Sequence, residues 1–538
     1  AANLSDDMDD NDITGTIVSG TEDDGDDRYE LTVKGKGDFT VNNLDADLDA
    51  ELVVGRLDVN LKSTAGSTGI DDVDIKLNNQ DAYINTLATN ARDVTLDADM
   101  MDAGDTLTVA GAGDVVAFNI DAGVTVDAQT GIFNGTSDVD LSGELRVYTD
   151  SLSAEESVTV LTGTGKTLVA GSTGSAASSE ITIDATDLVK QDTNNRDLTM
   201  TGASSMVVTG LSASLYASTA SGNLDITTED DGVVDAVTLE LVMGTDSAQI
   251  LGSESEDTLN INADAMNSGD TLTLEGLSVV NVSNVSTGMT VDADGDIAVI
   301  GDGLEGALTI TTEANATNVD VFLGEKSSTV DTNSSSVSDT SWSSSGVTER
   351  DVEIDATELV NTQTLTIEGG SDVYIHSLLA DVDASTHEGL LFIETEGTQD
   401  TVAPSDVINV TTGDNRTVVI ANGNDQVLID ATNLADNTAS YDSGAKLSAK
   451  GDGDITIENL KADLSSASGD GTITAELDGS GIASDITINT NMTTTLKAGE
   501  LDDADKLVIS GSGDVTVDRT TDTASAMTCS FIRDSISA

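Results

Sequence analysis

The sequence predicts an all-β chain, built from repeats and wound as a β-solenoid or β-helix-like array. Three observations carry this. A strand–corner–strand phrase returns along the 538 residues. Its apolar positions alternate with a period of two. Corners rely on 50 glycines with Asn and Asp, since the chain has one proline.

The phrase begins as Leu31-Thr32-Val33-Lys34-Gly35-Lys36-Gly37-Asp38-Phe39-Thr40-Val41. It returns at Leu107 with Gly111-Ala112-Gly113-Asp114, at Leu447 with Gly451-Asp452-Gly453-Asp454, and at Leu507 with Gly511-Ser512-Gly513-Asp514. Looser copies begin at Leu198, Leu272 and Leu365. Repetition points to a scaffold, because each copy needs neighbours to bury its apolar face. Leu31 and Val33 are expected to face inward, Thr32 and Lys34 outward, with Phe39 and Val41 resuming the inward face after the bend. The Gly-x-Gly-Asp bend is no phosphate loop: it joins strand to strand, lacks the Lys, and carries an Asp that would repel phosphate.

A second element precedes many copies. Ile183-Asp184-Ala185-Thr186-Asp187-Leu188, Ile354-Asp355-Ala356-Thr357-Glu358-Leu359 and Ile429-Asp430-Ala431-Thr432-Asn433-Leu434 share it. We read it as strand, one helical turn, strand. The Asp accepts a backbone N–H at the turn, and the closing Leu tucks inward.

The repeats divide the chain into an acidic N-terminal segment 1–27, β units 28–104, 105–196, 197–269, 270–363, 364–444 and 445–518, and a tail 519–538. The unit 270–363 carries a Ser/Thr-rich insertion, 327–348, which holds Trp342 and reads as an exposed loop. Unit lengths near those of small domains keep a string of β-sandwiches open as the alternative.

Composition narrows function. Aromatics are 2%, so Val, Ile, Leu, Ala and Thr must build the interior, a palette suited to strands. The formal net charge is -77, from 98 acidic and 21 basic residues. Nucleic acid is excluded as a partner, because phosphate contacts need Lys and Arg. Like charge at this density destabilises a compact state unless salt or divalent cations screen it. The single cysteine, Cys529, allows no intramolecular disulfide. No run is long enough for a membrane-spanning helix. The opening Ala1-Ala2 reads as a mature exported chain after cleavage at a small-residue site.

Carboxylate patterns are the strongest chemical signal. In Asn43-Leu44-Asp45-Ala46-Asp47-Leu48-Asp49-Ala50-Glu51 the acids fall on one strand face, roughly 7 Å apart. A hard cation such as Ca²⁺ would relieve their repulsion; a salt-screened solvated face is the other reading. Loop candidates are Asp292, Asp294 and Asp296 around Gly295, Asp23, Asp24 and Asp26, Asp230 and Asp231, and Asp425. Several Ca²⁺ ions are therefore the expected cofactors.

Catalytic patterns are poor, and no enzyme is expected. His376 and His387 are the only histidines. His387-Glu388 begins like a zinc-protease helix, but Leu391 stands where the second His must be. A β-helical polysaccharide lyase would also want basic residues and aromatic platforms, both scarce.

With Gly511-Ser512-Gly513-Asp514-Val515-Thr516-Val517, Ile429-Asp430-Ala431-Thr432-Asn433-Leu434-Ala435-Asp436 and the acidic, Thr-rich background, the chain resembles surface-layer proteins of Gram-negative bacteria. It is similar in particular to those of marine Gammaproteobacteria and to calcium-binding, repeat-rich surface adhesins. The likeness covers roughly residues 28 to 518, without the intact glycine-aspartate nonapeptides of the calcium-binding repeats. It implies secretion to the cell surface and self-assembly into a two-dimensional S-layer lattice. It also implies anchoring to outer-membrane lipopolysaccharide through divalent cations. An adhesin or biofilm-matrix segment is the alternative, although the sequence shows no aromatic cluster for a glycan-binding tip.

Overall fold

In a computed structural model the chain is all-β, with parallel strands stacked as a β-solenoid. The structure describes Thr14–Val18 and, with breaks at connections, residues 30–532. Outside it lie 1–13, 19–29, 533–538 and many connections, the longest being 63–71, 230–237, 293–307, 332–351, 398–406, 435–446, 478–485, 498–505 and 519–527. The chain divides into two compact units, Ala1–Met266 and Asn267–Ala538.

In the first unit the chain alternates between two sheets. Glu30–Lys36 lies in the front sheet, Phe39–Leu44 in the back, Asp47–Val54 in the front and Leu57–Leu61 in the back; the alternation runs on to Ala248–Gly252 and Thr258–Asn262. Successive strands of a sheet pair in parallel, Leu31 with Leu48 and Val41 with Val59. Sandwich domains would have required antiparallel ladders within each sheet, so that alternative falls. Thr14–Val18 is the exception, pairing antiparallel with Glu30–Lys36 along its outer edge. A two-stranded antiparallel pair, Ile132–Phe133 with Thr136–Ser137, lies within one connection.

Period-two patterning builds the core. Leu107, Val126, Val160, Ile183, Val208, Ile226 and Ile250 lie in register on successive back-sheet strands. All are buried, forming one continuous aliphatic column. Each such side chain contributes about 1.5–3 kcal/mol of burial.

The second unit has the same architecture. Val410, Ile429, Ile457, Ala475 and Leu496 form one of its buried columns. The Ser/Thr-rich segment enters this stack: Ser328–Asp331 pairs with Leu308–Thr312 on one side and Thr364–Gly369 on the other. Trp342 and the rest of that insertion lie outside the described residues. Part of the stretch read as a tail also joins, since Thr528–Ile532 pairs in parallel with Lys506–Ser510.

The phrase recurs by strand count, not by residue count. In the first unit Leu31 lies in the front sheet, Leu107 in the back and Leu198 in the front, with seven strands of the stack from each copy to the next. In the second unit Leu272 and Leu365, then Leu365 and Leu447, are likewise seven strands apart and alternate sheets; Leu507 follows Leu447 after six and stays in the same sheet. One phrase therefore serves both corners of a coil.

The Asp-Ala element is a single tight turn, and no helix occurs among the described residues. Leu188 N–H donates to the Ala185 carbonyl at 3.0 Å, and Leu434 to Ala431 at 3.1 Å. Asp184 and Asp430 accept the N–H two residues on, from Thr186 and Thr432. Leu188 and Leu434 are buried, as the spacing predicts.

Candidate functional site

The recurrent aspartates have a structural task. Corner carboxylates accept a backbone N–H from the next coil. Asp38 receives it from Arg56 at 3.0 Å, Asp114 from Glu144 at 2.8 Å and Asp454 from Thr472 at 3.0 Å. These are the last residues of three Gly-x-Gly-Asp bends. Asp81, Asp93, Asp381 and Asp463 do the same toward Thr106, Asp114, Asn409 and Thr487. An ionised acceptor makes a stronger hydrogen bond than a neutral one, so a carboxylate suits this position.

The acidic strand run divides between ion pairing and backbone capping. Asp45 sits in the corner before Asp47–Val54, where its carboxylate meets Lys62 and the fully buried Arg92. The hydrogen bond from Lys62, assisted by Arg92, holds its carboxyl below the usual range against the opposing effect of burial. Asp47 accepts the Asp74 N–H at 3.0 Å, and Asp49 accepts the Glu51 N–H at 3.2 Å. The ladder to Glu30–Lys36 slips a residue just beyond Asp49. Leu52 and Val54 turn outward there, 63% and 54% exposed.

Asp425 is buried; one carboxylate oxygen accepts the Gly397 N–H at 3.2 Å, and the other has no hydrogen-bond partner among the described residues. Asp292 ends the strand Thr290–Asp292, in register with Thr273 and Phe322. Asp294, Asp296, Asp23, Asp24, Asp26, Asp230 and Asp231 lie outside the described residues. Among the described residues no three acidic, histidine or cysteine side chains are grouped to hold a metal ion.

Stacking also builds a groove that no sequence run announces. In the second unit Tyr374 and Phe392 are register partners on adjacent strands. Each follows an inward aliphatic residue and precedes another, so both point outward. Their rings meet edge to face at 5.0 Å, and the His376 ring lies 5.6 Å from Tyr374. The Tyr374 hydroxyl donates to Glu394 at 2.9 Å; Asn422 donates to the other oxygen of Glu394 at 3.1 Å and to the Thr395 carbonyl at 2.8 Å. His376 lies between two carboxylates, Nε2 being 3.6 Å from Glu353 and Nδ1 3.8 Å from Asp355. The open cavity, about 460 Å³, is lined also by Ser377 and Glu396. The readable signal was the matching phase of Val373-Tyr374-Ile375 and Leu391-Phe392-Ile393.

His387 is the opposite case. It ends the strand Asp381–His387 and is buried, with burial lowering its pKa. It is a core residue in a strand, not the start of a zinc-binding helix.

No protein-family model, no curated protein and no solved structure matches this chain.

Proposed function

We propose that this β-solenoid is a self-assembling structural protein of a bacterial outer surface. Copies tile into an S-layer lattice, and divalent cations, Ca²⁺ foremost, bridge their acidic faces and tie the lattice to lipopolysaccharide. One observation carries the reading: carboxylates face outward in stacked positions, where coil-to-coil spacing is about 4.8 Å. Glu30 is in register with Asp47, Asp72 with Asp93, and Asp430 with Glu458. Such pairs repel in a lone molecule and are relieved by counter-ions or by a cation shared with a neighbour. Export as a soluble monomer and assembly outside the cell follow from the same charge.

The reading is non-enzymatic: it rests on the stacked carboxylates and not on the Tyr374 groove, where the Ser377 hydroxyl lies 3.4 Å from Nδ1 of His376. Among the described residues no helix is long and apolar enough to cross a membrane. An adhesin or matrix segment is the second reading, favoured by the aromatic groove.

The test is dialysis against a chelator, restoration of millimolar Ca²⁺, and negative-stain electron microscopy of both samples. Ordered sheets or tubes that dissolve on chelation support the lattice. Dispersed particles in both conditions overturn it.

A further inference from the structure

We propose that the groove lined by Tyr374 and His376 binds a saccharide carrying a free amino group. The inference does not rest on lattice assembly. The rings of Tyr374 and His376 line the groove, and Phe392 backs the Tyr374 ring edge to face, in a chain where aromatics are 2% of residues. Ring faces and edges offer an apolar platform to the C–H face of a pyranose and attract a nearby cation.

The groove is also held in shape before any ligand arrives. Tyr374 and Asn422 occupy separate oxygens of Glu394, which fixes the phenol and the amide against the sheet. Preorganised groups of this kind lose less freedom on binding. A volume of about 460 Å³ falls within the range of small-molecule sites and accommodates a sugar unit.

Charge selects the ligand class. Glu353, Glu394 and Glu396 line the groove, and among the described residues no lysine or arginine does. Acidic sugars and phosphates are repelled; an ammonium group on the ring is attracted. A bare metal ion fits less well, because the two nitrogens of His376 face different carboxylates, Glu353 and Asp355.

Isothermal titration of the full chain at 0.15 M NaCl tests this, with glucosamine trimer as the probe. The fully N-acetylated trimer, a glucose trimer and choline are the comparisons. Saturable binding of the glucosamine trimer is expected, with about tenfold or greater weakening on acetylation. Tyr374→Ala should weaken binding about tenfold, Glu353→Gln by a smaller factor, and Tyr374→Phe least, since it keeps the ring. Circular dichroism and melting curves confirm that each variant is folded. No saturable heat from the glucosamine trimer, or equal binding of the acetylated trimer, overturns the proposal. Choline binding as tightly as the trimer overturns the saccharide assignment. Electron microscopy of the lattice is read separately, so either idea can fail alone.

Discussion

Asp114 accepts the backbone N–H of Glu144, one coil further along, at 2.8 Å. Its own N–H is donated to Asp93 of the preceding coil at the same distance. Aspartates thus clamp three successive coils along one corner of the first unit.

The Asp114 clamp predicts a local effect of modest size. Asp114→Ala should cost about 1 kcal/mol, the usual net value of one hydrogen bond. Amide exchange at Glu144 should accelerate about fivefold, while distant coils are unchanged. Asp114→Asn keeps an acceptor oxygen and should recover most of the loss. Exchange mass spectrometry reads both variants; equal protection in wild type and Asp114→Ala would show that the clamp contributes nothing.

The corner glycines predict a steric contrast. A Cβ on Gly143 would stand 2.1 Å from the Gly113 carbonyl oxygen, and one on Gly165 would stand 2.0 Å from that of Gly143. Gly143→Ala must push coils apart and should cost on the order of 2 kcal/mol or more. Gly104 has a φ of +98° but open space around its Cβ position. Gly104→Ala should cost about 1 kcal/mol, from backbone conformation alone. Urea unfolding of the two variants separates crowding from conformation.

Asp45 predicts a separation of ion pairing from metal binding. Its carboxylate is already engaged by Lys62 and by Arg92, a cation with no exposed side-chain surface. Asp45→Asn should lower stability by removing the charge facing Arg92, by about 3 kcal/mol if the pair behaves as fully buried and less in proportion to solvent access. It should leave any calcium dependence of assembly unaltered. Melting curves with and without Ca²⁺ decide: a loss of stability confined to the calcium-loaded sample would make Asp45 a metal ligand instead.

How much of this was legible depends on range. Ile183 and Leu188 are buried where a period of two and a capped turn place them, because both signals lie within a few residues. The alternation of Leu31 and Leu107 between sheets was not legible. It depends on how many strands intervene, and the local phrase is the same at either corner. The aspartates were visible as charge, but Asp114 acts through an N–H in another coil, which no local pattern records. Tyr374 and Phe392 are likewise partners only after register is fixed. A composition poor in aromatics hid the fact that these were stacked together.

His387 predicts a dependence on pH. Burial lowers its pKa in the folded protein, and backbone groups of Leu390, Glu368 and Gly369 and the Asp414 charge only partly oppose this. In the unfolded chain a histidine titrates near about 6.5. Below that value the unfolded state takes up a proton that the folded state resists, so stability falls as pH falls. The contribution is intact above the unfolded pKa and lost progressively toward the depressed folded one. Carboxylates such as Asp45, whose folded pKa is low, lose their contribution only at more acidic pH. Between pH 7 and 5, wild type should therefore lose stability more steeply than His387→Gln, even if the variant starts lower. Urea midpoints across that window measure the slopes; parallel slopes would mean that His387 is protonated equally in both states.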